Sequence, residues 1–404
     1  MFTCWMFYLY VYITRVEPGV LADDLMNEFS MTASVLGTAM SMLYIPYVTM
    51  QIPCGVITDK LGVKTVVVIS SFLCAIGTFI FGAATTVFQL EVARFLIGLS
   101  SAAAFLCCGK VALEYFEERK YAMLTGITMG IGCLGGISGT APTVFLANKL
   151  GWRNEMYVTG AFGILTAIMA IIFLKKKDTK AATKSTDSHF LAGLFAIASK
   201  PKAWILGFYG AISYLTLSVI AELWGVPFME QRYGISTAQA SLTSLIIFIG
   251  YGVGSFLSAL IAEKINSYKR VIIIFSMGLI ISFWYAIYSD TIGFAWNMFA
   301  LFMGGFFAGA GILCFTLAYN MVPENFDGTS SGFMNALIMS SAILFQPLLG
   351  ELLDFFRNGM VTDGGEPIYT IGMYRSAFLF VILAMVLSGI STFFIDDKRC
   401  SKTS

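Results

Sequence analysis

The feature that most constrains this chain is a succession of twelve apolar runs, each close to the roughly 20 residues that a helix needs to cross a bilayer. They cover about 2–24, 32–57, 65–85, 88–113, 121–147, 153–174, 203–228, 237–262, 270–289, 292–319, 329–352 and 373–395, and short polar turns separate most of them. Inside a bilayer every backbone N–H and C=O must be paired within the protein, and a helix does this within one segment. The sequence therefore predicts an all-α membrane protein with twelve transmembrane helices. Of its 404 residues only 12% are charged and 57% are hydrophobic. A soluble domain carries about a quarter of its residues as charges, so a large soluble enzyme is excluded. The run that opens at Phe2 is too long, and too closely followed by Asp23 and Asp24, to be a cleavable leader. Because it opens at Phe2, a few residues are expected upstream.

Twelve crossings bring both termini to one side, and the positive-inside rule says which. Seventeen of the 25 Lys and Arg residues fall on the side of the termini and five on the other, the rest lying within spans. Both termini and the 175–202 loop are therefore expected in the cytoplasm. That loop, with KKKDTKAATKSTDSH, reads as a flexible charged linker. It divides the chain into an N-terminal six-helix bundle (1–174), the cytoplasmic linker (175–202) and a C-terminal six-helix bundle (203–404). No Asn-x-Ser/Thr sequon occurs, which fits a bacterial inner membrane.

The halves repeat. GVITDKLGVKTVVVIS at 55–70 is answered by ALIAEKINSYKRVIIIFS at 259–276, which sets Glu263 at the Asp59 position. Such duplication is expected of carriers built from two repeated bundles. The string Gly55-x-x-x-Asp59-Lys60-x-Gly62-x-Lys64 resembles the loop between helices 2 and 3 of the major facilitator superfamily. Gly55 would let a neighbouring helix approach closely, Gly62 permits a turn, and the lysines hold the loop cytoplasmic. The resemblance implies a conformational latch formed by Gly55, Asp59, Lys60, Gly62, Lys64 and Glu263. In it Asp59 would sit at the start of helix 11 near Gly328–Ser331, and Glu263 at the start of helix 5. A solvated charged turn is the plainer alternative.

Shorter pieces are similar to the phagosomal nutrient transporter branch and to related siderophore and amino-acid carriers. They are Arg15-x-x-Pro18, YxxMQIPCG at 47–55, Lys110, Gly151-Trp152-Arg153, Glu222-Leu-Trp-Gly-Val-Pro227 and Gln346-Pro347. The family implies two bundles around a central site, a small-molecule substrate, alternating access and, with a self-contained bundle, a monomer.

Ionisable groups inside a bilayer are costly and tend to face a cavity or a partner. They are therefore the first candidates for the site. Arg15 can hold a carboxylate or phosphate with two parallel hydrogen bonds, or pair internally with Glu17. Lys110 is a second anion site by the resemblance, or snorkels to the headgroups. Arg94 opens Arg94-x-x-x-Gly98-x-x-x-Ala102, similar to a helix 4 motif of the superfamily. It either packs structurally or biases a carboxylate. Glu222, Glu17 and Arg94 are the proton-coupling candidates, with pairing to Arg232 as the alternative for Glu222. Tyr44, Tyr47 and Gln51, spaced by three and four, share one helix face. Tyr319, Asn320, Asn335 and Gln346 are the polar candidates of the second half. Helix 5 carries Gly126, Gly130, Gly132, Gly135, Gly136 and Gly139. It is expected to pack closely and bend against the other half, and similar patterns occur in proton-linked exporters.

One histidine, His189, in a polar segment argues against a His-based metal or catalytic centre. The eight cysteines are scattered and behave as small hydrophobes. No metal or other cofactor is expected. The net charge of +1, with no basic tail, gives no nucleic-acid partner. The chain reads as a secondary active transporter of a small carboxylate-bearing solute, an amino acid or organic acid, taken up with protons. The alternative is a proton-linked exporter or carrier of a siderophore or drug-like compound. An enzyme is not expected, since the spans contain no nucleophile–base constellation.

Overall fold

The computed structural model describes residues 1–51, 53–117, 120–174, 187–290, 293–323, 326–361 and 367–395. Within them, eleven helices are long and apolar enough to cross a membrane. In chain order, after α1 (Phe2–Val20), they are α2 (Ala33–Met50), α3 (Pro53–Ala83), α4 (Val87–Tyr115), α5 (Met123–Leu150) and α6 (Trp152–Phe173). Then follow α7 (Pro201–Tyr233), α8 (Thr237–Lys264), α9 (Tyr268–Tyr288), α10 (Phe294–Tyr319), α11 (Gly328–Arg357) and α12 (Ile371–Phe394). α1 is the least apolar of the set because it carries three tyrosines, Arg15 and Glu17. At about 1.5 Å per residue its 19 residues still rise close to 30 Å. Large apolar side chains such as Phe88, Phe256, Ile281 and Leu387 are exposed along these helices, as a lipid-facing surface requires.

Three irregularities shape the helices. Gly62 has φ +80° and breaks the α3 run into a short continuation of the second span and the third span proper. Thr216–Trp224, in the middle of α7, is a π-helix, a widened turn that frequently marks functional positions. α11 contains Pro347, which removes one backbone donor.

The described residues form two compact units. One comprises Met1–Ala182, Val219–Leu245 and Ala342–Tyr374; the other comprises Thr183–Ser218, Ile246–Ser341 and Arg375–Ser404. α7, α8 and α11 thus contribute to both. In the first unit three glycines of α5 pack on α1 of the same half, not against the other half as the sequence suggested, and Gly126 and Gly130 meet open space. A Cβ at Gly132 would meet the Tyr8 ring at 2.9 Å, at Gly135 the Tyr12 Cβ at 2.7 Å, and at Gly139 the Ile13 carbonyl at 2.7 Å. α4 lies on α2 in the same way, because a Cβ at Gly98 would collide with the Leu43 backbone. In the second unit α8 and α10 repeat this contact, with Gly250 and Gly254 against the Phe302 and Phe306 carbonyls. Its core gathers Tyr209, Phe275, Leu313 and Met334, and the Phe275 ring lies 5.3 Å and 5.4 Å from those of Phe306 and Phe307.

The 175–202 segment differs from the expected linker. Residues 175–186 lie outside the described residues, but Asp187–Ala198 is a helix. Its FLAGLFAIA stretch is apolar enough to dock, and Ile197 is fully buried in the second unit's core.

A side chain at Gly98 has no room, whereas one at Gly126 meets open space. Gly98→Leu is therefore expected to destabilise the protein by about 1–3 kcal/mol through overpacking, and Gly126→Leu to leave it unchanged. Thermal unfolding of the purified protein in detergent checks the pair.

Candidate functional site

The buried charges of the first unit converge on the middle of α1. Tyr8, Tyr12 and Arg15 follow at i, i+4 and i+7, so one face of α1 presents all three. The Arg15 guanidinium lies 4.8 Å from the centre of the Tyr12 ring, 5.0 Å from that of Tyr47 and 5.7 Å from that of Tyr44. Arg15 is only 2% exposed. Each such ring contributes about 0.5–2 kcal/mol toward holding a cation out of water. Tyr44, fully buried, donates its phenolic hydrogen to Oε2 of Glu222 in the π-helical part of α7. An arginine in a tyrosine cage is thus joined through one phenol to the buried carboxylate of α7.

Arg94 does something different. Its Nη1 donates to the Thr14 carbonyl at 2.8 Å, and its Nε and Nη2 to the Met40 carbonyl, both at 3.3 Å. The guanidinium straps the backbones of α1 and α2 together. These hydrogen bonds are packing contacts, and Gly98 one turn on completes the seam.

Glu17 does not share Arg15's face, because residues two apart on a helix point to different sides. Its Oε1 accepts from Thr159 of α6 at 2.8 Å, and the same hydroxyl lies 3.1 Å from Oε1 of Glu155. Two buried carboxyl groups thus flank one hydroxyl donor. Glu155 and Thr159 were missed in the sequence. Glu155 falls in the first turn of α6, beside Trp152 and Arg153, where a carboxylate reads as a boundary charge.

Lys110 requires a correction. Its ammonium pairs with Asp59 and also donates to the Gly55 carbonyl at 3.3 Å. The lysine offered as a second anion site and the acid offered as a latch to helix 11 therefore satisfy each other. Gly55 does not receive a neighbouring helix, since a Cβ there would meet nothing within 4 Å. Lys64 donates to the Ile171 carbonyl at 2.6 Å, Lys60 is exposed, and Glu263 is exposed at the end of α8.

At the α2 end remote from this loop, the first unit is sewn shut by backbone contacts. The Ser34 amide donates to Oδ2 of Asp354 at 2.9 Å, and the Ala33 amide to the Tyr369 hydroxyl at 2.7 Å. Tyr369 in turn donates to Oδ1 of Asp354 at 2.6 Å. Burial and that carboxylate push the Tyr369 phenol up, so it remains a donor throughout the physiological range. Asp354 thereby supplies an N-cap to α2 from α11. Nearby, glycines stand where α1 and α2 meet the irregular parts of α7 and α11. A Cβ at Gly19 would strike the Glu222 carbonyl, and one at Gly37 the Gln346 carbonyl. Trp224 Nε1 donates to that same Gln346 carbonyl at 3.3 Å.

Of the remaining candidates, Gln51 keeps a buried side-chain nitrogen without a hydrogen-bond partner, and Gln346 is buried. Tyr319, Asn320 and Asn335 are half-buried in the second unit. The described residues contain no cluster of His, Cys, Asp and Glu that could hold a metal.

Eleven helices among the described residues long and apolar enough to cross a membrane, with α1 before them, together with glycine-seamed pairs that recur in the two halves of the chain and a few buried charges around an arginine, define a membrane carrier. The chain belongs to the Major Facilitator Superfamily, whose family model matches residues 2–347; it is a transporter and not an enzyme. It is 24% identical over 403 residues to the probable galactarate/D-glucarate transporter GudP of Bacillus subtilis, covering 90% of this chain and 88% of that one. It is 25% identical over 284 residues to the probable sulfoacetate transporter SauU of Cupriavidus necator, where the match spans 66% of this chain and 64% of the relative. The fold is similar to the crystal structure of a bacterial homologue of the human lysosomal transporter Spinster, in its inward-facing and occupied conformation. That likeness has a TM-score of 0.79 at 17% identity and covers 97% and 95% of the two chains.

Because Lys110 is held by Asp59, Lys110→Ala is expected to alter the maximal transport rate while leaving the substrate's half-saturation concentration within about twofold, as suits a half-exposed ion pair of about 0–1 kcal/mol. Initial-rate kinetics in proteoliposomes separate the two quantities.

Proposed function

We propose that this protein takes up a small organic acid, a carboxylate or sulfonate, by alternating access coupled to protons. The observation that carries this reading is Arg15, a guanidinium buried in α1 among Tyr12, Tyr44 and Tyr47. A guanidinium presents a planar fork of donors that matches a carboxylate or sulfonate with two parallel hydrogen bonds. The tyrosine faces help to hold the cation where it lies out of water. Gln51, with its buried side-chain nitrogen, offers a further donor to the solute, and Tyr319, Asn320, Asn335 and Gln346 are the corresponding groups of the second half.

Organic acids suit this arrangement better than amino acids. An amino acid would bring an ammonium that asks for a carboxylate, and Glu222 is engaged by Tyr44. Relatives named for galactarate, D-glucarate and sulfoacetate point the same way. The coupling proton is assigned to Glu222 or to Glu17, which shares the Thr159 hydroxyl with Glu155. The exporter reading is less favoured, because Gly132, Gly135 and Gly139 of α5 serve packing on α1. The sidedness of Lys and Arg places both termini in the cytoplasm. With bacterial relatives, a bacterial inner membrane is the setting, and the carrier is taken to act as a monomer.

The test is uptake of labelled sulfoacetate, D-glucarate and glutamate into proteoliposomes, with and without an outside-acid gradient. Wild type is expected to concentrate an organic acid when the gradient is present. Arg15→Ala should lower the initial rate at least about tenfold, as loss of charge-assisted hydrogen bonds implies, with Arg15→Lys in between. Glu222→Gln or Glu17→Gln should abolish the gradient's effect. An Arg15→Ala protein that transports like wild type, or efflux of a preloaded dye with no acid uptake, would overturn the reading.

A further inference from the structure

We propose that Glu17 and Glu155 form a buried proton site between α1 and α6, in which the two carboxyl groups hold one proton between them beside the Thr159 hydroxyl. Among the described residues, five charged side chains are buried to 2% exposure or less, and all lie in the first unit: Arg15, Arg94, Glu17, Glu155 and Glu222. Two guanidiniums are thus set against three carboxyl groups. A net charge held out of water is costly, and one proton on one of the three acids removes it. The geometry selects where that proton sits. Glu222 receives the Tyr44 hydrogen. Glu17 and Glu155 instead each bring Oε1 to the Thr159 hydroxyl, at 2.8 Å and 3.1 Å, and a hydroxyl has one hydrogen to give. Oε2 of Glu155 is buried without a hydrogen-bond partner. Two carboxylates in one site repel each other, and a shared proton replaces that repulsion with a hydrogen bond.

The groups around the pair fit one proton and one remaining negative charge. Arg94 of α4 acts on Glu17 electrostatically, while its hydrogen bonds go to the Thr14 and Met40 carbonyls. It therefore balances a carboxylate without giving it a hydrogen. The other polar neighbours carry no formal charge: Tyr10 of α1, whose hydroxyl lies 2.9 Å from that of Thr78, Cys74 of α3 and Thr143 of α5. The pair also has a side. Glu155 stands in the first turn of α6, two residues after Arg153, whose guanidinium pairs with the part-exposed Glu28 at 2.6 Å. With both termini in the cytoplasm this is the outer end of α6, so the pair loads from the acidic side when an outside-acid gradient is applied. That the same proton drives uptake rests on the organic-acid reading above; that the pair holds it does not.

The experiment is infrared spectroscopy of the full chain in lipid nanodiscs at neutral pH, where a protonated carboxyl group is read from its C=O stretch. Wild type should show one such group. Glu17→Gln and Glu155→Gln should each lose it, because either change leaves two guanidiniums with two carboxylates and no pair to share a proton. Thermal unfolding reads the same count independently. Each single variant should unfold within a few degrees of wild type. The double variant should unfold well below both, because one buried guanidinium is then left without a carboxylate. In proteoliposomes carrying D-glucarate or sulfoacetate, each single variant should lose accumulation in an outside-acid gradient more steeply than exchange of labelled for unlabelled solute, which moves no net proton. A protonated-carboxyl signal that survives in both single variants would overturn the proposal. So would single-variant losses of stability that add up to that of the double variant, which would make the two acids independent charges. Accumulation and exchange that fall in proportion would overturn the coupling role. If wild type moves neither acid, the organic-acid reading fails, whereas the infrared comparison still decides whether the pair holds a proton.

Discussion

A guanidinium cannot be left bare inside an apolar bundle, and the way the two buried arginines of the first unit, Arg15 and Arg94, are satisfied determines much of what surrounds them. Arg94 is spent on backbone carbonyls of Thr14 and Met40, so it fixes α1 against α2 and has little left to offer a solute. Arg15 is surrounded by three aromatic faces, which stabilise its charge. Two residues of the same type, some eighty positions apart, are thus satisfied in different ways, and the proposed function gives Arg15 the reading of the solute. The glycines follow from the same constraint, because helices must approach closely for short side-chain reach to connect them.

The second consequence concerns the helix contacts. Where α1 and α2 meet α7 and α11, glycines pack against backbone carbonyls that belong to a π-helical turn and to the residue before Pro347, alongside the side-chain bonds of Tyr44 and Trp224. Irregular turns of this kind bend helices and frequently mark functional positions. Asp354 and Tyr369 add polar closure at the end of α2.

Much of the fold was legible in the sequence because its determinant is local. Twenty apolar residues in a row specify a span wherever they occur, and Gly62 and the α5 glycines announce a turn and a seam by residue type alone. The site was legible in part. Arg15, Tyr44, Tyr47 and Glu222 stood out as polar groups at bilayer depth. That Tyr44 reaches Glu222, 178 positions away, depends on the rotation of α2 against α7, which no periodicity encodes. The same blindness explains Lys110. It and Asp59 lie 51 positions apart and each suggested a role on its own, yet each turned out to be the other's partner. Glu155 was hidden for another reason. It stands one turn inside α6, where a hydropathy profile shows a span edge rather than a buried acid, and only the docking of α1 brings Glu17 to it.

The central claim is that the tyrosine-caged guanidinium of Arg15 is where the transported anion binds. An electron cryo-microscopy structure of the protein in nanodiscs with saturating D-glucarate or sulfoacetate tests it most directly. The account predicts the acidic group of the solute within hydrogen-bonding distance of Arg15, about 2.7–3.0 Å. Density for the solute away from α1, with the Tyr12, Tyr44 and Tyr47 cage closed and unchanged around Arg15, would contradict it.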